Sequence, residues 1–185
     1  MAVHELRGEM GEPMMRKVVL YAAASLDGYI ARSDGGLDWL VPDGDYGYND
    51  FFVGIDTLVM GRKTYDAVKS FGDWPYGERT CYVLTHTPDR YRDDPVIFVS
   101  GPVRPMIDNL VRQPGGDIWL VGGGELVREF LRHDLVDEII LTVFPILLGD
   151  GIPLFPADFP AYELTLTVAK TYDSGAVQVT YGRKS

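Results

Sequence analysis

The stretch Asp117–Arg132, DIWLVGGGELVREFLR, sets three consecutive glycines where a buried strand hands over to a helix. Ile118, Trp119, Leu120 and Val121 form a short β-prone apolar run, whereas Leu126, Val127, Phe130 and Leu131 recur at helical spacing. A strand therefore runs into Gly122, Gly123 and Gly124, and a helix leaves them. Bare amides at such a helix start aim their N–H groups, and the positive end of the helix dipole, at whatever lies above, which suits a phosphate. The alternative is a tight strand-to-helix turn with nothing bound.

Working outward, strand-like and helical runs alternate. Val18 to Ala24 reads as a strand, followed by a long glycine-rich loop, a helix near Tyr46 to Val53 and a strand from Thr57 to Met60. A helix from Arg62 to about Ser70 precedes strands at Thr80 to Leu84 and Val96 to Val99. Val103, Met106, Ile107, Leu110 and Val111 then make one apolar helical stripe. This alternation predicts an α/β domain, a three-layer αβα sandwich around a largely parallel, twisted sheet. The last third changes character: Val136 to Val143, Tyr162 to Thr171 and Ala176 to Gly182 read as strands with no helix between them, so the C-terminal strands are expected to be antiparallel. The turn YDSGAV, with Gly175, fits a hairpin. Residues 1–14 are polar and patternless, with Met14 and Met15 just ahead of the first strand; they are expected to form a disordered or non-native extension to a single domain over 15–185.

The chain carries 17 basic and 27 acidic residues, a net charge of −10, in 185 residues. Such a field repels nucleic acid and anionic membrane, so an anionic ligand must be held by local donors. No apolar stretch approaches the roughly 20 residues that cross a bilayer, and no secretory signal is legible, so a cytoplasmic protein without membrane or nucleic-acid partners is expected. The single cysteine, Cys81, lies in a β-like run and reads as core filler in a reducing compartment. His4, His86 and His133 are far apart with no second ligand at metal-like spacing, so no metal site is expected; His133 reads as a helix C-cap.

LVMGRKTYD repeats the logic of the opening stretch. A strand ends at Met60, Gly61 turns, and Arg62, Lys63 and Thr64 start a helix. Cations at a helix N-terminus oppose the dipole unless an anion is present. In a parallel sheet both turns fall at the carboxyl edge, where open α/β sheets bind ligands, and two such corners suit the two ends of a dinucleotide. The Arg62–Lys63 pair favours an extra negative charge such as the 2′-phosphate of NADP; its alternative is a solvated first helical turn. No G-x-G-x-x-G follows the first strand and no Gly-Lys-Ser/Thr ends the glycine turn, which excludes the doubly wound fingerprint and the P-loop.

The stretches VVLYAAASLDGYIA, GLDWL, LVMGRKTYD, YVLTHT, IWLVGGGELVREFL and DEIILTVFPILLGDGIPLF, in this order from Val18 to about Phe155, resemble the dihydrofolate reductase superfamily. Within it they are most similar to the C-terminal reductase domain of the bifunctional riboflavin-biosynthesis deaminase-reductase. The resemblance implies an NADPH-dependent reductase of a small molecule. Ala22 and Ala23 would then lie near the nicotinamide, and Ile30 would line it from the loop. Gly61, Arg62, Lys63 and Thr64 would hold the adenosine and pyrophosphate side, and Thr85 and His86 the 2′-phosphate, histidine being a departure there. Gly122, Gly123, Gly124, Glu125 and Leu126 would meet the pyrophosphate, with a cis Gly122–Gly123 peptide. Folate reductases carry a carboxylate on the helix after the Trp39-like position. Their spacing from Gly61 lands on Asp45, but VPDGDYGYNDFF also offers Asp43 and Asp50.

Hydride transfer to a C=N or C=O group needs a proton as well, from an acid with a raised pKa or a water it positions. Asp45 and Asp50 are the candidates, with Asp27 at the loop start as a rival whose first reading is the turn residue of an Asp-Gly pair. Trp39, Tyr46, Tyr48, Phe51, Phe52 and Phe144 crowd the same region; Trp39, Phe144 and one of the adjacent pair, Phe51, are candidates to line a flat substrate pocket. Three functions fit: a riboflavin-type reductase of a heterocycle or ribosylamino-pyrimidine, a folate or pteridine reductase, and a regulatory protein that binds NADP without turnover. The apolar late strands, including IILTVFPILL, point to a homodimer.

Overall fold

The computed structural model describes residues 15–40, 44–87 and 96–184; the expected N-terminal extension and Asp43 lie outside them. An eight-stranded sheet runs through the domain, built of β1 (Val18–Ser25), β3 (Ile55–Gly61), β4 (Thr80–Leu84), β5 (Ile97–Val99), β6 (Asp117–Gly122), β7 (Glu138–Phe144), β9 (Leu164–Thr171) and β10 (Val177–Arg183). Their order across the sheet is β5-β4-β3-β6-β1-β7-β10-β9. The pairings from β5 through β7 are parallel, and those of β10 with β7 and β9 are antiparallel.

Helices cover both faces. On one, α3 (Val103–Leu110) and α4 (Gly124–Arg132) bury Val103, Ile107, Leu126, Val127 and Phe130 against Val18, Leu20, Val59, Ile118 and Leu120. On the other, α1 (Tyr48–Val53) and α2 (Arg62–Ser70) bring Tyr48, Phe51, Phe52 and Tyr65 onto Leu58, Met60 and Trp119. The hydrophobic stripe of α4 is the one read from the sequence, and the helix stops at a C-cap His133 followed by Asp134 with φ 52. Among the described residues no helix is long and apolar enough to cross a membrane.

Two departures from the sequence reading bear on the site. The glycine-rich loop after β1 contains a short strand, β2 (Tyr29–Ala31), which pairs with β8 (Ile152–Pro153) in a separate two-stranded sheet. Neither strand has the length from which periodicity is legible. The first helix begins at Tyr48 rather than Tyr46, because Tyr46 (φ 49) and Gly47 (φ 76) are left-handed and turn the chain into it.

Candidate active site

Both glycine turns fall at the carboxyl edge of adjacent parallel strands. Met60 pairs with Gly122, and a Cβ on Gly61 would stand 3.9 Å from the Gly122 carbonyl oxygen. The Gly122–Gly123 peptide is cis. Gly61 and Gly123 are the N-caps of α2 and α4, and neither helix has a side-chain cap, so the first-turn amides open onto one shared rim.

The three glycines of the opening stretch answer to three different constraints. Gly122 has φ 121, where a side chain is strained. Gly123 faces α2, its Cβ position lying 3.3 Å from the Thr64 hydroxyl oxygen. Gly124 lies under β8, where a Cβ would run into the Pro153 carbonyl oxygen and press on the Pro156 ring at 3.1 Å. The bareness of the turn therefore serves packing as well as an open rim.

Around this rim stand the residues expected to hold a dinucleotide. Arg62 bonds Asp66 at 2.7 Å and is part-exposed, Lys63 is exposed and Thr64 sits between the two turns. Thr85 follows β4, its N–H donating to the Val99 carbonyl, and His86 is exposed beside it. Glu125 pairs with Arg128 on the outer face of α4. Leu126 is corrected: its side chain is in the core and its N–H returns to the Gly123 carbonyl, so it has nothing to offer a phosphate. Strand alternation turns Ala22 onto the α3–α4 face with Ile30, while Ala23 faces the aromatic side.

Of the acids, Asp27 braces two loops. Its carboxylate accepts from the Ser25 hydroxyl at 2.6 Å and from the Leu148 and Gly149 N–H groups at 3.1 and 2.7 Å, sewing the loop after β1 to the loop after β7. The Ser25 hydroxyl, then the two backbone donors, hold its pKa below the ordinary carboxylate range. A depressed folded-state pKa contributes stability that is present above the unfolded value and lost as pH falls through the folded one. Asp27→Asn is therefore expected to flatten the acid limb of a melting-temperature profile below about pH 4, with its own effect largest at neutral pH.

Asp45 and Asp50 are both exposed; Asp45 accepts from the Asn49 N–H at 3.1 Å, at the start of α1. Neither is the acid buried beside the cofactor that a folate-type mechanism expects. Trp39 and Phe144 are corrected from an open pocket lining to a small core: they meet edge to face at 5.8 Å, both nearly buried, with Ala23, Tyr46 and Ala176 around them. The Trp39 Nε1–H, however, is buried with no acceptor among the described residues. Phe51 stacks on Tyr21 at 4.3 Å and Phe52 on Tyr48 at 5.2 Å, with the Arg79 guanidinium over the Phe52 ring, so both are half-buried.

Sequence reasoning missed the polar group at the centre of this face. Ala23, Thr142 and Gln178 are register partners across β1, β7 and β10. The Gln178 Nε2 donates to the Tyr46 carbonyl at 2.6 Å and to the Thr142 hydroxyl oxygen at 2.9 Å. The Tyr21 hydroxyl donates to the same carbonyl at 2.9 Å, and burial pushes its pKa up to about 12, so it stays a donor. The signal was present as a polar residue at an inward phase of each apolar strand, EIILTVF and VQVTYGR. Elsewhere, a cavity of about 500 Å³ lies at the opposite, amino-terminal edge of the sheet, lined by Arg16, Asp56, Thr57 and Arg79 among others. Arg16 and Asp56 pair with each other, and Arg79 donates to the Ile55 and Phe52 carbonyls, so these three charges serve the structure.

Residues 16–178 match the family model of the RibD C-terminal domain. The chain belongs to that family. It is 45% identical over 174 residues to YwjB of Bacillus subtilis strain 168, covering 92% of this chain and 99% of that protein. A putative riboflavin biosynthesis protein of Shewanella sp. PV-4 superposes with a TM-score of 0.81 at 36% identity, covering 91% of this chain and 99% of the other. A dihydrofolate reductase of Enterococcus faecalis, complexed with NADP(H), matches at TM-score 0.67 and 24% identity over 91% and 97% of the two chains, which shows the shared fold. The domain is thus dihydrofolate reductase-like, an α/β sandwich with an antiparallel C-terminal pair.

Proposed function

We propose that this protein is an NADPH-dependent reductase of a small heterocycle, of the kind reduced in riboflavin biosynthesis. The observation that carries the reading is the shared rim: two helix N-termini without side-chain caps meet at adjacent strand ends, one strand away from Ala23. The residues fit a dinucleotide. Gly61 and Thr64 on one turn, and Gly123, Gly124 and Glu125 on the other, would hold the pyrophosphate through backbone N–H groups and a hydroxyl. Arg62 and Lys63, with Thr85 and His86 across β4, would take the 2′-phosphate side.

When bound, the nicotinamide supplies the hydride. The chain supplies placement, needing the acceptor carbon about 3 to 3.5 Å from the donor in an ordered, dry cleft. In this reading a flat ring would lie at Ala23, between the Phe51–Tyr21 stack and the Trp39–Phe144–Tyr46 cluster. In this reading the proton would come from water or from Asp45, which is exposed at the start of α1.

Calorimetric titration with NADPH and NADP⁺ tests the assignment. Ligand at 100 times Kd adds about 2.7 kcal/mol, which raises the melting temperature by roughly 5–10 °C in a domain of this size. No heat and no shift would end the reductase reading, while binding without NADPH oxidation across pyrimidines and pterins would select the regulatory alternative. Lys63→Ala is expected to weaken NADPH about tenfold and leave NADH unchanged, because the lost charge serves only the 2′-phosphate. We also propose a homodimer through β9, an edge strand whose eight residues are all exposed, Leu164, Leu166 and Val168 among them. Size-exclusion chromatography with light scattering giving the mass of one chain would refute it.

A further inference from the structure

We propose that the heterocycle reduced here carries no phosphate, because the half of the carboxyl edge beyond β1 excludes an anion, whereas the half assigned to the dinucleotide admits one. The inference rests on the reductase reading of this edge and narrows its substrate to an unphosphorylated compound.

Strands β1 and β7 are parallel and β10 returns antiparallel, so the loops after β1 and β7 and the β9–β10 turn meet at the carboxyl edge, beside the segment that leads into α1. These segments are tied to one another. The Asp27 carboxylate reaches Leu148 and Gly149, the Ser33 hydroxyl donates to Asp150 at 2.7 Å, and the Tyr46 and Ser174 hydroxyls lie 3.1 Å apart. Residues 26–40, 44–47, 145–151 and 172–176 carry six carboxylates, all exposed: Asp27, Asp34, Asp38, Asp45, Asp150 and Asp173. Their one cation is Arg32, which Asp38 grips through both carboxylate oxygens at 2.7 and 2.9 Å.

The backbone is spent in the same way. Loop N–H groups that could cradle a phosphate donate to the chain's own carboxylates: Leu148 and Gly149 to Asp27, Gly36 to Asp34, Gly151 to Asp150 and, at the start of α1, Asn49 to Asp45. The glycine turns across the edge are the opposite, since α2 and α4 start without side-chain caps and Arg62 and Lys63 open α2. Two apolar residues complete the anion-excluding half: Leu26 and Leu147 are 64% and 68% exposed, and the Leu26 N–H donates to the Ile146 carbonyl at 2.8 Å. A phosphate dianion would sit there among like charges, with the nearby amides already satisfied; an uncharged substituent meets no such penalty.

The test compares 5-amino-6-ribosylaminouracil with its 5′-phosphate, by NADPH oxidation and by calorimetric titration into the NADP⁺-loaded full chain. The unphosphorylated compound should show about tenfold higher kcat/KM at low ionic strength, and added salt should shrink the gap by accelerating the phosphate ester alone. Asp34→Asn/Asp38→Asn/Asp173→Asn, which removes three exposed carboxylates and releases Arg32, should narrow the gap to about twofold. Equal or better use of the phosphate ester overturns the proposal, as does a gap indifferent to both salt and the triple variant. So does failure of both compounds to bind the NADP⁺-loaded chain at millimolar concentration. Selective binding of the unphosphorylated compound without any NADPH oxidation would instead sink the reductase reading and leave the exclusion of anions standing.

Discussion

Asp56→Ala is expected to destabilise the domain by about 3 kcal/mol, lowering the melting temperature by roughly 6–12 °C while leaving cofactor affinity unchanged. The Arg16 guanidinium is almost wholly buried, its side chain only 4% exposed, just ahead of β1. It donates to the carbonyls of Gly116 and Leu110, the Thr57 hydroxyl and the Asp56 carboxylate. The same carboxylate accepts from the Gly116 N–H at 2.7 Å, so it pins the turn before β6 as well. Removing it strands a buried cation and releases that turn. Because Asp56 is itself about half exposed, the low end of the range for broken buried pairs applies. Removing both charges in Arg16→Met/Asp56→Ala should cost less than Asp56→Ala alone, since the stranded cation is gone. Chemical denaturation of the two variants checks this, and a double variant at least as unstable as Asp56→Ala alone would refute it.

Gly124→Ala should cost about 2–3 kcal/mol and also loosen the rim that faces the cofactor. The added methyl has no free volume, since the Pro153 carbonyl and the Pro156 ring occupy its place. Backbone cannot yield as a flexible side chain does, so β8 must move. With it goes β2, which carries Ile30, because the two strands pair with each other. Gly123→Ala meets only the Thr64 hydroxyl at 3.3 Å and should be milder in stability. Denaturant titration ranks the two, and protease susceptibility of the 26–36 loop reports the released β2–β8 pairing. Equal stability of the Gly124 variant and the wild type would show that the turn is not packed as described.

Local pattern sufficed for the elements whose signal is repeated along the chain. The α4 stripe, the Gly61 and Gly123 turns, the strand Thr80–Leu84 and the closing hairpin follow from periodicity and turn chemistry, which are properties of neighbours in sequence. From those, the parallel sheet, and hence a ligand edge at its carboxyl side, could be argued. The two-residue β8 and the left-handed Tyr46 carry no such repetition, so nothing local marked them.

The roles of single residues at the site were settled only by distant neighbours. Asp27 reads as a turn acid or a catalyst until Leu148 and Gly149 arrive from another loop and take its oxygens. Trp39 and Phe144 read as pocket walls until they close on each other. The Gln178 side chain reaches the Thr142 hydroxyl and the Tyr46 backbone carbonyl, 36 and 132 positions away. A sequence determines what each side chain can donate, accept or bury; which of those capacities is spent inside the protein, and which is left for a ligand, depends on partners that only the fold brings within about 3 Å.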